Sequence, residues 1–218
     1  HMSNYIKILP NYLIKRYKAW KATVYEEKKN WYNKIASEGQ NPRAMVISCC
    51  DSRIHATSIF GADTGEFFIH RNIANLVPPY NPDGDHHGTS AAVEYAIKTL
   101  QVSHIIILGH SHCGGIMSGY KLFNDDQISN ESIFVDKWLN ILKPAYENIS
   151  NNGNQFNEGC IVDLEKESIK FSINNLTDFP FIKSALIKKE LVLHGLWHDI
   201  GSGVLEALDP ISMNFKKI

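Results

Sequence analysis

The chain has 218 residues, 44% of them hydrophobic and 21% charged, enough for one globular domain with a substantial core. Its formal net charge is -1, from 22 basic and 23 acidic residues, which excludes a general electrostatic pull toward nucleic acid or an anionic membrane surface. No run reaches the roughly 18 apolar residues of a bilayer span and the first thirty residues hold no apolar signal segment, so a cytoplasmic location is expected.

In chain order, the apolar residues Leu13, Tyr17, Trp20, Val24, Trp31 and Ile35 recur at three- and four-residue steps between Tyr12 and Glu38. That period predicts one or two amphipathic helices ending at Gly39. Residues 1–38 are therefore an N-terminal helical arm, suited to capping the domain or embracing a second subunit, and its aromatic content favours packing over solvent exposure. Residues 39–218 form a single α/β domain. Ala44 to Ser48 reads as a buried strand that delivers Cys49-Cys50-Asp51-Ser52-Arg53 at its end, and Glu66 to His70 as a second strand closed by Arg71-Asn72. The proline-rich segment from Val77 to Gly84 blocks helix and sheet, and a helix starting at Thr89 or Ser90 carries Ala92, Val93, Ala96, Ile97 and Leu100.

His104 to Gly109 is a continuous apolar run of the kind buried on both faces of a parallel sheet, and it ends at His110-Ser111-His112-Cys113-Gly114-Gly115. Strand, helix, strand predicts a mostly parallel sheet flanked by helices, with both polar clusters beyond the carboxyl ends of the strands, where open α/β sheets collect ligands. Polar residues 124–130 separate this region from a helix over Ile133 to Ile149, interrupted near Pro144, and a loop is expected over 151–154. Val162 to Leu176 and Phe179 to Ile187 read as helices. Leu191 to Trp197, a turn over 199–203, and Val204 to Leu208 predict a terminal hairpin, an antiparallel edge to the sheet.

Four cysteines in a chain that needs no disulfide staple point to ligands or thiols kept reduced. Cys49, Cys113 and His110 form a soft, borderline donor set that suits Zn²⁺, and three protein ligands leave a fourth position open, as catalytic sites do. His110 and Cys113, three apart, face one point if a helical turn begins after Gly109. Cys50 points away from Cys49 on an extended backbone and is read as a packing residue. Gly114 and Gly115 let the backbone pass close to metal and substrate.

Cys49-x-Asp51-Ser52-Arg53 followed by His110-x-x-Cys113 resembles the paired signature of the β-class carbonic anhydrases, and Gly65 to Asn75 and Val77 to Tyr80 are similar to further segments of that family. The resemblance runs from about Gly39 to Asp209. It implies a zinc hydro-lyase that hydrates carbon dioxide reversibly to bicarbonate and a proton by zinc-bound hydroxide, with Cys49, His110 and Cys113 as ligands and Asp51 and Arg53 as a catalytic dyad. Gln40, Phe68, Ile73 and Tyr95, with Gly114, match the substrate pocket of the form whose zinc site is permanently accessible. Where the bicarbonate-regulated form carries Tyr, this chain has His198. The resemblance further implies a homodimer or a dimer of dimers. Competing readings are a zinc enzyme for another small linear molecule such as carbon disulfide and a zinc-stabilised binding module whose Asp51 closes the metal; a dinucleotide site is disfavoured because Gly109 to Gly115 has the wrong glycine spacing.

Overall fold

The computed structural model describes residues 2–124, 132–150 and 157–218. The chain divides into two compact units, residues 1–40 and 41–218. In the first unit, helices α1 (Asn11–Trp20) and α2 (Glu26–Glu38) are joined by a π-helical stretch, Lys21–Tyr25. Gly39, at φ 79°, ends the run because a left-handed residue cannot continue a right-handed helix. Trp20, Tyr25 and Tyr32 pack their rings on one another, with centroids 5.4 to 5.9 Å apart. Tyr12 and Tyr17 stay largely exposed, so the arm's aromatic residues are less buried than their composition suggests.

The second unit is built on β1 (Ala44–Cys49), α3 (Ala56–Phe60), β2 (Phe67–Asn72), α4 (His87–Glu94), β3 (His104–His110), α5 (Gly114–Asn124), α6 (Ile133–Leu139), α7 (Lys143–Ser150), α8 (Glu158–Thr177), α9 (Pro180–Ile187), β4 (Val192–His198), β5 (Leu205–Leu208) and β6 (Phe215–Lys217). The sheet order is β2-β1-β3-β4-β5-β6. The first four strands are parallel and the last two antiparallel. This is the expected α/β sheet, flanked by helices, with an antiparallel C-terminal edge. Alternation along β1 and β3 divides the core: Met45, Ile47, Ile105 and Ile107 face one layer, Val46 and Leu108 the other.

Several local details depart from the sequence reading. Helix α4 continues as a π-helical stretch, Tyr95–Thr99. The break in the 133–149 helix is a 3-10 turn at Asn140–Leu142, so Pro144 falls in the first turn of α7, where its missing N–H costs nothing. Strand β5 is not the edge, because β6 pairs outside it; β6 and α3 are too short for periodicity to reveal. No helical turn begins after Gly109. Ser111 N–H still donates to the His198 carbonyl (2.9 Å), which holds the chain in the ladder until a left-handed His112 (φ 53°) turns it into α5. The polar segment over 124–130 and the loop over 151–154 lie, apart from Asn124, outside the described residues.

Helix α8 packs on β3 and β4 over two glycines. A Cβ on Gly109 would stand 2.7 Å from Ile169 Cδ1, and one on Gly195 would stand 2.9 Å from Ile169 Cγ2 and 3.1 Å from Ile173 Cδ1. A side chain at either position would have to displace Ile169 or Ile173 from the sheet. Gly195→Ala is expected to lower unfolding stability by about 1–3 kcal/mol through overpacking, measured by urea denaturation at neutral pH.

Candidate metal centre

Cys49 closes β1, and His110 closes the neighbouring β3. Because the strands are parallel and in register, with Ser48 opposite Leu108, their carboxyl ends emerge side by side. Cys113 follows two residues after the last ladder bond, and its carbonyl accepts the Met117 N–H (3.0 Å), which makes it the N-terminal cap of α5. The two sulfurs and a His110 ring nitrogen all lie within 4.8 Å of one another, and all three residues are buried.

The electrostatics of this cluster are those of a cation site. Cys49 Sγ and Cys113 Sγ are 4.0 Å apart, close to the about 3.8 Å that two Zn–S bonds of about 2.3 Å span at a tetrahedral angle. His110 Nδ1 donates to the Ser111 carbonyl (2.8 Å), which leaves Nε2 to present its lone pair. That Nε2 is buried and has no hydrogen-bond partner, an arrangement costly in an apolar setting unless an ion completes it. The hydrogen bond from Cys113 drives the Cys49 thiol down to about 4 against the opposing effect of burial, with help from His110 and from the Asp51 and Ala74 amides. The same bond and burial hold Cys113 up, partly offset by the Ile116 and Gly115 amides at the start of α5. Burial pulls His110 down, but Cys49, the Ser111 carbonyl and Asp51 outweigh it and the net direction is upward. The donor set therefore fits zinc.

The loop after β1 is fixed by two arginines. Arg53 Nε donates to Asp51 Oδ1 (3.0 Å), and its Nη2 donates to Asp51 Oδ2 (2.7 Å) and to the His112 carbonyl (2.9 Å). This fork holds the Asp51 carboxyl well below the usual carboxylate range. Asp51 Oδ2 lies 3.9 Å from His110 Nε2, so the carboxylate stands beside the cluster without entering it. Arg71 donates to the carbonyls of Cys49 (2.8 Å), Asp51 (2.7 Å) and Ile54 (2.9 Å), tying down the whole turn. The Asn72 side chain bonds both the N–H and the carbonyl of Leu76 (2.8 and 2.7 Å), which stabilises left-handed Ala74 and aims its amide at Cys49.

A family profile described as Carbonic anhydrase matches residues 44–205. The chain is 35% identical over 189 residues to beta carbonic anhydrase 3 of Arabidopsis thaliana, covering 86% of this chain and 72% of the relative. Among solved structures, the β-carbonic anhydrase CcaA superposes with a TM-score of 0.88 at 29% identity, covering 95% of this chain and 91% of that one. One of two tetrameric β-carbonic anhydrases of Sordaria macrospora gives 0.78 at 31% identity, covering 91% and 95%. The chain belongs to the β-class carbonic anhydrases. Its Cys₂His cluster is the zinc site of that class, and the reaction of the family is the hydration of carbon dioxide to bicarbonate.

The remaining sequence-predicted residues distribute as follows. Phe68 on β2 and Tyr95 after α4 stack, with centroids 5.8 Å apart and planes 26° from parallel. Ile73 follows β2, and its Cγ2 would stand 2.8 Å from a Cβ on Gly115, so Gly115 lets the chain after β2 approach α5 closely. Gly114 faces open space. Gln40 ends the first unit. Cys50 is exposed and outside the cluster, so it is not the packing residue its extended backbone suggested; its N–H bonds the Asn72 carbonyl and its thiol points to solvent.

Sequence reasoning passed over two anchoring residues, Arg71 and Glu165. Glu165, on α8, is 2% exposed, accepts from the Cys113 N–H at 3.1 Å and from the Trp197 indole N–H at 3.3 Å, and burial pushes its carboxyl up. The signal was a carboxylate on the buried stripe Ile161, Leu164, Ser168, Ile169 and Ser172. Zinc content after desalting is expected to be one per chain for the parent and for Cys50→Ser, and to fall at least about tenfold for Cys49→Ser, measured by elemental analysis of reduced protein.

Proposed function

We propose that Asp51 and Arg53 are the catalytic dyad of this zinc hydro-lyase, and that Phe68, Ile73, Tyr95 and Gly114 form its carbon dioxide pocket. The single observation that carries the reading is the buried Cys49, His110 and Cys113 cluster with its unpartnered imidazole nitrogen, bordered by one ionised carboxylate. Zinc held there supplies a Lewis acid that makes water a nucleophile near neutral pH, a weaker one than a three-histidine site because two thiolates donate more charge.

The chain's own groups do the rest. Arg53 keeps Asp51 ionised and occupies both of its oxygens from one side, which restrains the carboxylate from becoming a fourth ligand. The remaining lone pairs of Oδ2, on the His110 side, accept a hydrogen bond from the attacking oxygen and turn its reactive lone pair toward carbon. Carbon dioxide carries no net charge and little to hydrogen-bond, so its place is apolar: the stacked Phe68 and Tyr95 and the side chain of Ile73 suit that wall.

Residues 1–38 are proposed as a helical arm and 39–218 as the catalytic domain, and the working particle as a homodimer or dimer of dimers in the cytoplasm. In support, Tyr95 is 46% and Ile73 40% exposed in the single chain, the Sordaria macrospora relative is described as tetrameric, and among the described residues no helix is long and apolar enough to cross a membrane. Light scattering after size exclusion is expected to give a multiple of the 24.7 kDa chain mass; a monomer with full hydration activity would overturn the shared-particle reading.

The deciding measurement pairs zinc content with stopped-flow carbon dioxide hydration between pH 7 and 9. The parent should hold one zinc and accelerate with rising pH. Asp51→Asn should keep the zinc and lose about 10²-fold in rate, the range of a misoriented nucleophile. Full zinc occupancy with no hydration at any of these pH values would sink the assignment.

A further inference from the structure

The peptide plane between His112 and Cys113 is gripped at both ends by opposite charges. Its carbonyl accepts from Arg53 Nη2 at 2.9 Å, and its N–H donates to Glu165 Oε2 at 3.1 Å. We propose that Glu165 is a positioning residue for the metal: with Arg53 it clamps this one peptide, and so fixes where the Cys113 sulfur points. The proposal rests on the zinc reading of the cluster and extends it to a side chain on α8.

Three observations carry it. Cys113 caps α5, so its N–H precedes the helix and has no helical carbonyl to bond; Glu165 is the acceptor that the fold supplies for it. His112 is left-handed at φ 53°, an unfavourable setting for a residue with a Cβ, which persists only where its surroundings hold it. Rotating the following peptide would turn the Cys113 N–H away from Glu165 and the His112 carbonyl away from Arg53, so both charged groups oppose the same motion. Glu165 itself is positioned from outside the site. Its second oxygen takes the Trp197 indole N–H, and one turn further along α8, Ile169 rests on the bare Cα atoms of Gly109 and Gly195. The adjacent Lys166 is turned away to Glu206 (3.2 Å) and over the Trp197 ring (4.5 Å), leaving the carboxylate to the two N–H groups.

Glutamate suits this place because each oxygen serves a different donor. A glutamine offers one accepting oxygen and sets its NH₂ against the other N–H. Removing Trp197 would release that single oxygen to Cys113.

The test uses the zinc-loaded protein and follows zinc transfer to a chromophoric chelator, together with the visible spectrum of the cobalt-substituted protein. Glu165→Leu, which keeps the volume and removes both acceptors, should release zinc about 10- to 100-fold faster, the range seen when a metal ligand loses its supporting hydrogen bond. Its cobalt bands should shift. Trp197→Phe should release zinc at close to the parent rate, because the Cys113 N–H keeps its acceptor. Glu165→Gln should be fast, and the double variant Glu165→Gln, Trp197→Phe should recover toward the parent. If Glu165→Leu does not fold, the last three proteins decide the question alone. Parent-like release and spectrum in a folded Glu165→Leu or Glu165→Gln protein would overturn the clamp, as would equally fast release from Trp197→Phe. A parent that binds no zinc would instead overturn the metal reading.

Discussion

Two thiols and an imidazole within 4.8 Å of one another, all buried, impose the constraint around which this fold is arranged. Unless a cation joins them, that placement leaves a nitrogen without a partner and two sulfurs 4.0 Å apart. Parallel pairing supplies the proximity. β1 and β3 run side by side with matched register, so chain ends more than sixty residues apart meet above the sheet. The register that sets Ser48 opposite Leu108 brings the carboxyl ends of the two strands, with Cys49 and His110 next to them, to one edge of the sheet.

Backbone amides add to the support that Cys113 and His110 give the Cys49 thiolate. The Asp51 and Ala74 amides point at Cys49, and those of Gly115 and Ile116 at Cys113. The first pair is held by side chains, Arg71 bracing the turn that carries Asp51 and Asn72 the turn that carries Ala74, while the second belongs to the start of α5. Such donors are fixed before any ion arrives, so little reorganisation accompanies binding. Gly115 belongs to the same device, because a Cβ there would strike Ala74 and Ile73 and push the amides off target.

The strands that carry chemistry were legible because their signals are local: Ala44 to Ser48 and His104 to Gly109 are continuous apolar runs that end in polar clusters. The ligand residues and the Asp51, Arg53 pair were legible from type and spacing. What was not legible depends on contacts across the chain. The turn at His112 reads as ordinary sequence, and only the ladder bond from Ser111 to His198 shows why the chain cannot coil there. Cys50 was misread because period-two alternation assumes that the strand continues, whereas the sheet stops at Cys49. Arg71 and Glu165 act on carbonyls and amides, which carry no side-chain pattern to match.

Arg53 joins two functions that a sequence comparison would list separately. Its fork keeps Asp51 turned from the metal, and the same Nη2 holds the His112 carbonyl. Swinging Arg53 away to free the carboxylate would therefore also release the peptide that orients Cys113. Movement of Asp51 toward the metal and loosening of a ligand are coupled through one guanidinium, and that coupling raises the cost of a closed state beyond the single ion pair. Arginine meets this demand where lysine would not, because only a planar group with several fixed donors can serve a carboxylate and a carbonyl at once. The open geometry of the site is in this sense a property of the metal loop as much as of the dyad.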